Sequence, residues 1–294
     1  MPTKLIIFAS SSYPLPVLDK IQNDSRFLIG LVITRPDRPI GRKKIISPNP
    51  VKLWAEKNKI PVICPENFIG KNTKEVITRI KEVNPTLGLV AHYGLKIPQA
   101  VFSLPHHQTL NIHFSLLPKY RGGAPLEHTI INGDKKTGIT VLKLDKDFDT
   151  GNIVYQKEIE LAGNETVAGL YYKLFDMTAN IIPDVLIDYI NGQLIPKEQK
   201  GAVIFANKKE LGDGKIDWKK KPEFLERFIR ALNPNPGTWT EILLNRETGD
   251  KKRLKILKAH LDNGILIFDE VQLEGKTPVS YTHFQKSYPN TTVN

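Results

Sequence analysis

Apolar residues recur in short runs through the first half of the chain, with amphipathic segments between them. The runs are four to eight residues long and rich in Ile, Leu and Val, which is typical of buried β-strands. We predict strands over 4–9, 27–34, 61–64, 86–91, 109–113, 138–144 and 153–159. Helical spacing of apolar residues predicts helices over 14–23, 50–58, 73–83 and 98–102.

Strands that alternate with helices favour an α/β fold with a doubly wound, mostly parallel sheet. In such sheets ligands bind at the carboxyl ends of the strands. The loops that begin near Ser10, Arg35, His92 and Ser115 follow predicted strands. We therefore expect the chemistry of this protein to lie in these loops.

The pattern changes in the second half of the chain. A long helix is predicted over 166–191, and a polar stretch follows it. An amphipathic helix over 221–232 then precedes strand-like runs over 238–244, 254–260, 265–268 and 271–273. We predict an N-terminal domain over 1–192, a linker over 193–204 and a C-terminal domain over 205–294 that forms a small, truncated OB-like β-barrel.

Composition narrows the class of protein. Hydrophobic residues make up 40% and charged residues 25%, which suits a folded chain and excludes a disordered one. Cys64 is the only cysteine, so an internal disulfide and a thiolate metal cluster are excluded. The apolar run near the N-terminus is too short for a signal peptide or a membrane span. We expect a cytoplasmic monomer that binds no membrane and no metal.

The charge of the chain predicts a polyanionic partner. The sequence has 42 basic and 31 acidic residues, a formal net charge of +11. Between Lys200 and Lys258 there are fifteen Lys and Arg and eight Asp and Glu. Much of the positive excess therefore lies in the predicted C-terminal domain.

Asn111 and His113 end a predicted strand, and the alternation of side chains along a strand puts both on one face. An amide can donate a hydrogen bond to a developing oxyanion, and a histidine can accept or return a proton near neutral pH. Asp149 lies in a predicted turn, from which its carboxylate could orient the His113 ring. Each residue also has a structural alternative. Asn111 could satisfy backbone groups at the strand end, His113 could be a histidine of the core, and Asp149 could make an Asx-turn. The residues alone leave both interpretations open.

A longer motif surrounds these residues. The segment 111–122 reads Asn-Ile-His-Phe-Ser-Leu-Leu-Pro-Lys-Tyr-Arg-Gly, and Asp-Thr-Gly follows at 149–151. This combination resembles the signature of the folate-dependent formyltransferases, whose catalytic domain is Rossmann-like. The resemblance implies that 10-formyltetrahydrofolate is the formyl donor. It also implies that Asn111, His113 and Asp149 are the catalytic group.

The same resemblance assigns a folate site. It implies folate contacts along Ser115, Leu116, Leu117 and Pro118. The segment 91–98 is similar to the family's segment beside the folate pocket, which adds Tyr93 and Gly94. The reaction implied by the family requires no metal.

A Pro-rich loop over 34–44 and 47–52 carries six basic residues and one acidic residue, which makes it a candidate phosphate-binding loop. A solvated surface loop is the structural alternative. The loop resembles the insertion with which the family's methionyl-tRNA branch approaches the acceptor stem. The resemblance implies tRNA contacts from Arg38, Arg42, Lys43 and Lys44.

We therefore expect formylation of the amino group of initiator methionyl-tRNA, for translation initiation. The segments 214–218 and 230–237 resemble the start of the family's C-terminal domain, which helps to hold tRNA. A nucleotide-linked amino sugar is the alternative acceptor. A basic RNA-binding protein without enzymatic activity would explain the charge, but it would leave Asn111, His113 and Asp149 unused.

Three departures from the family pattern carry their own expectations. The loop after the first strand has Ser10 where the family has glycine, which changes how closely the backbone can approach a ligand. Phe114 replaces the usual glycine after His113, and its ring is expected to narrow the pocket or stack on a ligand. The chain after His260 is short for a complete barrel, which bears on tRNA affinity.

Overall fold

The computed structural model describes residues 1–40, 45–208, 212–245, 249–289, 291 and 293. They fall into two compact units, each with its own buried apolar core. The first unit comprises Met1–Arg121, Gly138–Glu158 and Tyr172–Ile204, and the second comprises Gly122–Thr137, Ile159–Tyr171 and Phe205–Asn294.

Strands and helices alternate along the first two thirds of the chain. The strands are β1 (Thr3–Ala9), β2 (Phe27–Ile33), β3 (Arg38–Ile40), β4 (Ile45–Ser47), β5 (Val62–Ile63), β6 (Leu87–Ala91), β7 (Thr109–His113), β8 (Lys119–Arg121), β9 (Lys136–Lys143), β10 (Ile153–Glu160) and β11 (Ile204–Phe205). The helices are α1 (Leu15–Gln22), α2 (Pro50–Lys57), α3 (Lys71–Val83), α4 (Gln99–Phe102), α5 (Pro125–Ile131), α6 (Val167–Ala179) and α7 (Ile182–Ile190).

Seven strands form the central sheet in the order β10-β9-β7-β6-β1-β2-β5. The pairs β1/β2, β1/β6, β2/β5 and β6/β7 are parallel, and β7 is antiparallel to β9. The predicted doubly wound, mostly parallel sheet is confirmed. Because β2 and β6 lie on opposite sides of β1, the topological switch point falls between β1 and β6, where such sheets bind ligands.

Apolar side chains of the central strands and of α3 form the core of the first unit. The buried cluster comprises Ile6, Phe8, Leu31, Ile33, Val76, Ile80, Val90, Ile97, Val101 and Phe102. Val76 and Ile80 lie four residues apart on α3 and therefore share one helix face. Burial of this face fixes α3 against the sheet and leaves the carboxyl edge of the strands to the loops.

The prediction of one helix over 166–191 is wrong. The structure has two helices, α6 and α7, which are separated at Asn180 and Ile181. Pro183 lies in the first turn of α7, and it explains the break. Proline has no N–H to donate, and its ring collides with the carbonyl four residues earlier, that of Ala179. None of the helices among the described residues is long and apolar enough to cross a membrane.

The C-terminal part of the chain adds α8 (Pro222–Leu232), β12 (Thr238–Asn245), β13 (Asp250–Asp262), β14 (Ile265–Leu273), β15 (Val279–Ser280) and α9 (Tyr281–Ser287). The strands form an antiparallel sheet in the order β12-β13-β14-β15. Within the described part of the chain, no strand pairing joins β12 to β15. The small C-terminal β domain is thus confirmed, as a sheet with α8 and α9 packed on it. Leu254, Ile256 and Phe284 are among the residues buried in its core.

Ile80 tests the packing of α3. Its side chain is fully buried, so Ile80→Ala should lower the free energy of unfolding by about 2–5 kcal/mol through lost burial and a residual cavity. Glu75→Ala, at an exposed position of the same helix, is the matched control and should change it by less than about 0.5 kcal/mol. Urea unfolding measures both. Equal effects of the two substitutions would contradict the packing described here.

Candidate active site

Asn111 and His113 lie at the carboxyl end of β7, on the same face of the strand. His113 is buried, with 6% of its surface exposed, and Asn111 is only partly buried. The strand lies next to β6, so both side chains are one strand away from the switch point. The partial exposure of Asn111 leaves the group open to solvent.

Asp149 approaches both residues from the turn between β9 and β10. The Asn111 Nδ2 donates a hydrogen bond to Asp149 Oδ1 over 3.3 Å. The second carboxylate oxygen, Oδ2, is 3.5 Å from His113 Nδ1. The structure thus brings the three predicted catalytic side chains together. An amide, an imidazole and a carboxylate in contact can bind an oxyanion and move a proton at one place.

The partner of the other ring nitrogen determines the tautomer of His113. Nε2 lies 2.9 Å from the backbone carbonyl oxygen of Tyr120, which can only accept a hydrogen bond. Nε2 therefore carries a hydrogen, and Nδ1 faces Asp149. Nδ1 is therefore the ring nitrogen that can exchange a proton with the Asp149 carboxylate. Tyr120 presents its carbonyl from a left-handed conformation, with φ at 65°.

Gln199 holds the turn that carries Asp149. Its Nε2 donates hydrogen bonds to the carbonyl oxygens of Asp149, at 2.7 Å, and of Gly151, at 2.8 Å. Its Oε1 accepts from Nε and Nη2 of Arg121, at 3.0 and 2.8 Å. Asp149 itself has a φ of 55°, a left-handed conformation that costs energy for a residue with a side chain. The Gln199 amide fixes this turn to β8 and so positions the Asp149 carboxylate.

The segment predicted to contact folate follows β7 directly. Ser115 is buried, its Oγ donates to the Lys119 carbonyl at 2.6 Å, and its own carbonyl accepts from Thr140 Oγ1 at 2.6 Å. Leu117 is buried, and its peptide bond to Pro118 is cis. Leu116, Leu117 and Pro118 therefore form a closely packed turn beside the catalytic group.

Tyr93 and Gly94, also predicted to contact folate, lie in the loop after β6. The Tyr93 ring packs edge to face on Phe8 and Phe68, with centroids 5.7 and 6.3 Å apart. Its hydroxyl is buried and has no hydrogen-bond partner among the described residues, and burial raises the pKa of the phenol. Gly94 is exposed beside the side chain of Arg35.

Phe114 does not lie where a ligand could stack on it. Its ring is 3% exposed and packs edge to face on Phe175 of α6, with centroids 4.5 Å apart. The expectation that this ring stacks on a ligand is therefore wrong, and its effect on the width of the pocket stays a prediction. The alternation along the chain turns Phe114 away from His113 and into the interior, where burial of an aromatic ring is favourable.

The loop after β2 is only partly described. Arg38 is exposed on β3, which pairs with β4 in a two-stranded hairpin. Arg42, Lys43 and Lys44, the other predicted tRNA contacts, lie outside the described residues. Among the described residues, no group of three or more His, Cys, Asp or Glu side chains could hold a metal ion.

Two parts of the site were missed by sequence reasoning. Gln199 lies in a polar stretch read as a linker, and nothing local distinguishes it from its neighbours. The Tyr120 carbonyl is backbone, so its contact with His113 depends on the conformation of the 114–120 turn. A tight turn containing Pro118 was the one available signal, and it does not indicate which carbonyl faces the histidine.

Gly151 tests the packing of the turn. A Cβ atom at this position would lie 1.9 Å from the Lys143 carbonyl oxygen, so Gly151→Ala should displace the turn and destabilise the protein by about 2 kcal/mol. Gly123→Ala is the control, because a Cβ there meets no atom within 4 Å. Chemical denaturation measures the two variants. The geometry of the turn would be contradicted if Gly151→Ala were as stable as Gly123→Ala.

Comparisons with known proteins identify the family of the chain. A family model described as formyl transferase matches residues 3–186, and one described as the formyl transferase C-terminal domain matches residues 208–264. The methionyl-tRNA formyltransferase of Bacillus thuringiensis subsp. konkukian is 36% identical over 240 residues, which cover 81% of this chain and 75% of that protein.

Solved structures share the fold. Methionyl-tRNA formyltransferase from Clostridium thermocellum is 22% identical with a TM-score of 0.61, over 92% of this chain and 98% of that one. An N-formyltransferase from Helicobacter canadensis, in complex with folinic acid and dTDP-3-aminofucose, is 18% identical with a TM-score of 0.64, over 95% of this chain and 99% of that one. At these identities the likeness shows the fold alone. Together with the family models, which span most of the sequence, the comparisons confirm the resemblance seen in the motif: the chain belongs to the formyl transferase family.

Proposed function

We propose that this enzyme transfers the formyl group of 10-formyltetrahydrofolate to the amino group of methionine on initiator methionyl-tRNA. The observation that carries the chemistry is the contact of Asp149 with both Asn111 and His113. The name of the Bacillus relative, at 36% identity, supports methionyl-tRNA as the acceptor. We further propose that the protein acts as a monomer in the cytoplasm.

The reaction exchanges one carbon–nitrogen bond for another. The acceptor amine forms a bond to the formyl carbon, the bond from that carbon to the folate nitrogen breaks, and one proton passes from the amine to the folate nitrogen. Between these steps the formyl oxygen carries negative charge. The protein must therefore stabilise an oxyanion and relay one proton.

Asn111 suits the first task. One of its two amide hydrogens is directed to Asp149 Oδ1, which fixes the orientation of the group. The second makes no hydrogen bond to any residue in the described part of the chain. That N–H can therefore donate to the developing oxyanion. A fixed donor of this kind typically contributes a factor of about 10²–10³ to kcat.

The His113–Asp149 pair suits the second task. Because Nε2 is occupied by the Tyr120 carbonyl, the mobile proton lies between Nδ1 and the carboxylate. The pair can take the proton of the attacking amine and return a proton to the departing nitrogen. The formyl oxygen of the folate is the acceptor that the second N–H of Asn111 fits.

Positive charge supports an RNA acceptor. The proposed contacts on the loop after β2 are Arg38, Arg42, Lys43 and Lys44. On β13 the side chains of Lys251, Arg253 and Lys255 are exposed, while those of Leu254 and Ile256, on the other face of the strand, are buried. This alternation gives the C-terminal sheet a basic outer face. We propose that residues 205–294 help to hold the phosphate backbone of the tRNA through this face.

A formylation assay tests the function. The protein should formylate charged initiator tRNA and should leave a dTDP-linked amino sugar unmodified. Asp149→Asn and Asn111→Ala should each lower kcat by about 10²-fold or more and leave tRNA affinity unchanged. Each substitution removes a group that takes part in the reaction and keeps every basic side chain that is proposed to bind RNA. Asp147→Asn, an exposed aspartate of the same turn, is the matched control and should retain activity.

Two results would contradict the proposal. Formylation of the sugar without formylation of the tRNA would refute the proposed acceptor. Full activity of Asp149→Asn, or an equal loss in Asp147→Asn, would refute the proposed roles of the three residues.

A further inference from the structure

Arg35 lies at the switch point of the sheet. Its backbone follows the carboxyl end of β2, and its Nη1 is 2.9 Å from the point where a Cβ on Gly94 would lie. Gly94 follows β6, and β1 lies between β2 and β6 in the sheet. The Arg35 side chain therefore crosses the end of β1. Its guanidinium lies at the end of β6. This strand adjoins β7, and β7 carries Asn111 and His113.

The Arg35 guanidinium has no partner among the described residues. Its Nε is buried and makes no hydrogen bond, and none of its nitrogens forms an ion pair there. The carboxylate nearest in sequence, Asp37, is already used. It accepts from Lys52 Nζ at 2.7 Å and from the Asn49 backbone N–H at 2.9 Å, and the bond from Lys52 keeps the pKa of Asp37 low. A half-buried cation without a counter-charge is unfavourable unless a ligand supplies one.

A hydrogen bond from Asn49 holds the backbone of Arg35 in place. Asn49 caps α2 with its Oδ1, and its Nδ2 donates to the carbonyl of Arg35 at 3.2 Å and of Ser10 at 3.4 Å. The backbone of Arg35 is thereby fixed to the loop after β1. Gly94 has no side chain, and any other residue there would meet the guanidinium.

We propose that the Arg35 guanidinium binds a phosphate of the acceptor end of the tRNA, close to the catalytic group. Guanidinium presents paired N–H donors that match two phosphate oxygens. Arg35 is also the first basic residue in the Pro-rich loop over 34–44 and 47–52. The inference rests on the proposed function, and it adds a phosphate contact at the switch point of the sheet.

Equilibrium binding of uncharged initiator tRNA tests the proposal without any turnover. Arg35→Gln should weaken binding about fivefold or more at moderate salt, and should reduce the slope of log K against log salt by about 1, the value for one lost phosphate contact. Arg35→Lys should recover part of the affinity, because lysine restores the positive charge but lacks the paired N–H donors of the guanidinium group.

Arg26→Gln is the matched control. Arg26 precedes β2 at its opposite end, where it is paired with Asp24 and Asp184 on the surface. The Arg26→Gln substitution removes the same charge from the protein as Arg35→Gln does. Its affinity for tRNA should stay within twofold of that of the unmodified protein. Thermal unfolding of each variant verifies that it is folded.

Two outcomes overturn the proposal. One is tRNA binding by Arg35→Gln that equals that of Arg26→Gln in affinity and salt slope. The other is a loss confined to binding of 5-formyltetrahydrofolate, which would assign the guanidinium to a folate carboxylate. Both readouts are separate from formylation, so failure of the proposed reaction would not be mistaken for failure of this contact.

Discussion

The site depends on the turn that places Asp149 between Asn111 and His113. Asp149 takes a left-handed backbone conformation there, and the energy of that conformation must be offset by its surroundings. The amide of Gln199 supplies two hydrogen bonds to the turn and is itself held by Arg121. Without this contact, neither the amide on β7 nor the imidazole would have a fixed carboxylate opposite it.

The fold follows from the sequence to a large extent, because its strands are buried on both faces and read as continuous apolar runs. The α3 helix is equally clear from its apolar face. The break between α6 and α7 was missed, although Pro183 marks it, because apolar residues continue on both sides of the proline. The short strands β3, β4, β8 and β11 were also missed. They are two or three residues long and carry no periodic signal.

The proposed catalytic group was partly predictable from the sequence. Strand alternation places Asn111 and His113 on one face, but Asp149 lies 38 and 36 positions away from them, and its approach depends on strand pairing. Gln199 was not identified as part of the site, and Arg35 was identified only as the start of one of the loops expected to carry the chemistry. Their roles arise from contacts across the carboxyl edge, between loops that are distant in sequence. Such contacts depend on the order of strands in the sheet and leave no local pattern.

We infer that Gln199 supports the reaction by holding the Asp149 carboxylate in position. A double-mutant cycle on kcat/KM with Gln199→Ala and Asp149→Asn measures this coupling. Gln199→Ala alone should lower kcat/KM about tenfold or more, by about 1.4 kcal/mol of transition-state stabilisation, and should cause no further loss in the Asp149→Asn background. Independent, multiplicative losses in the double variant would contradict the account.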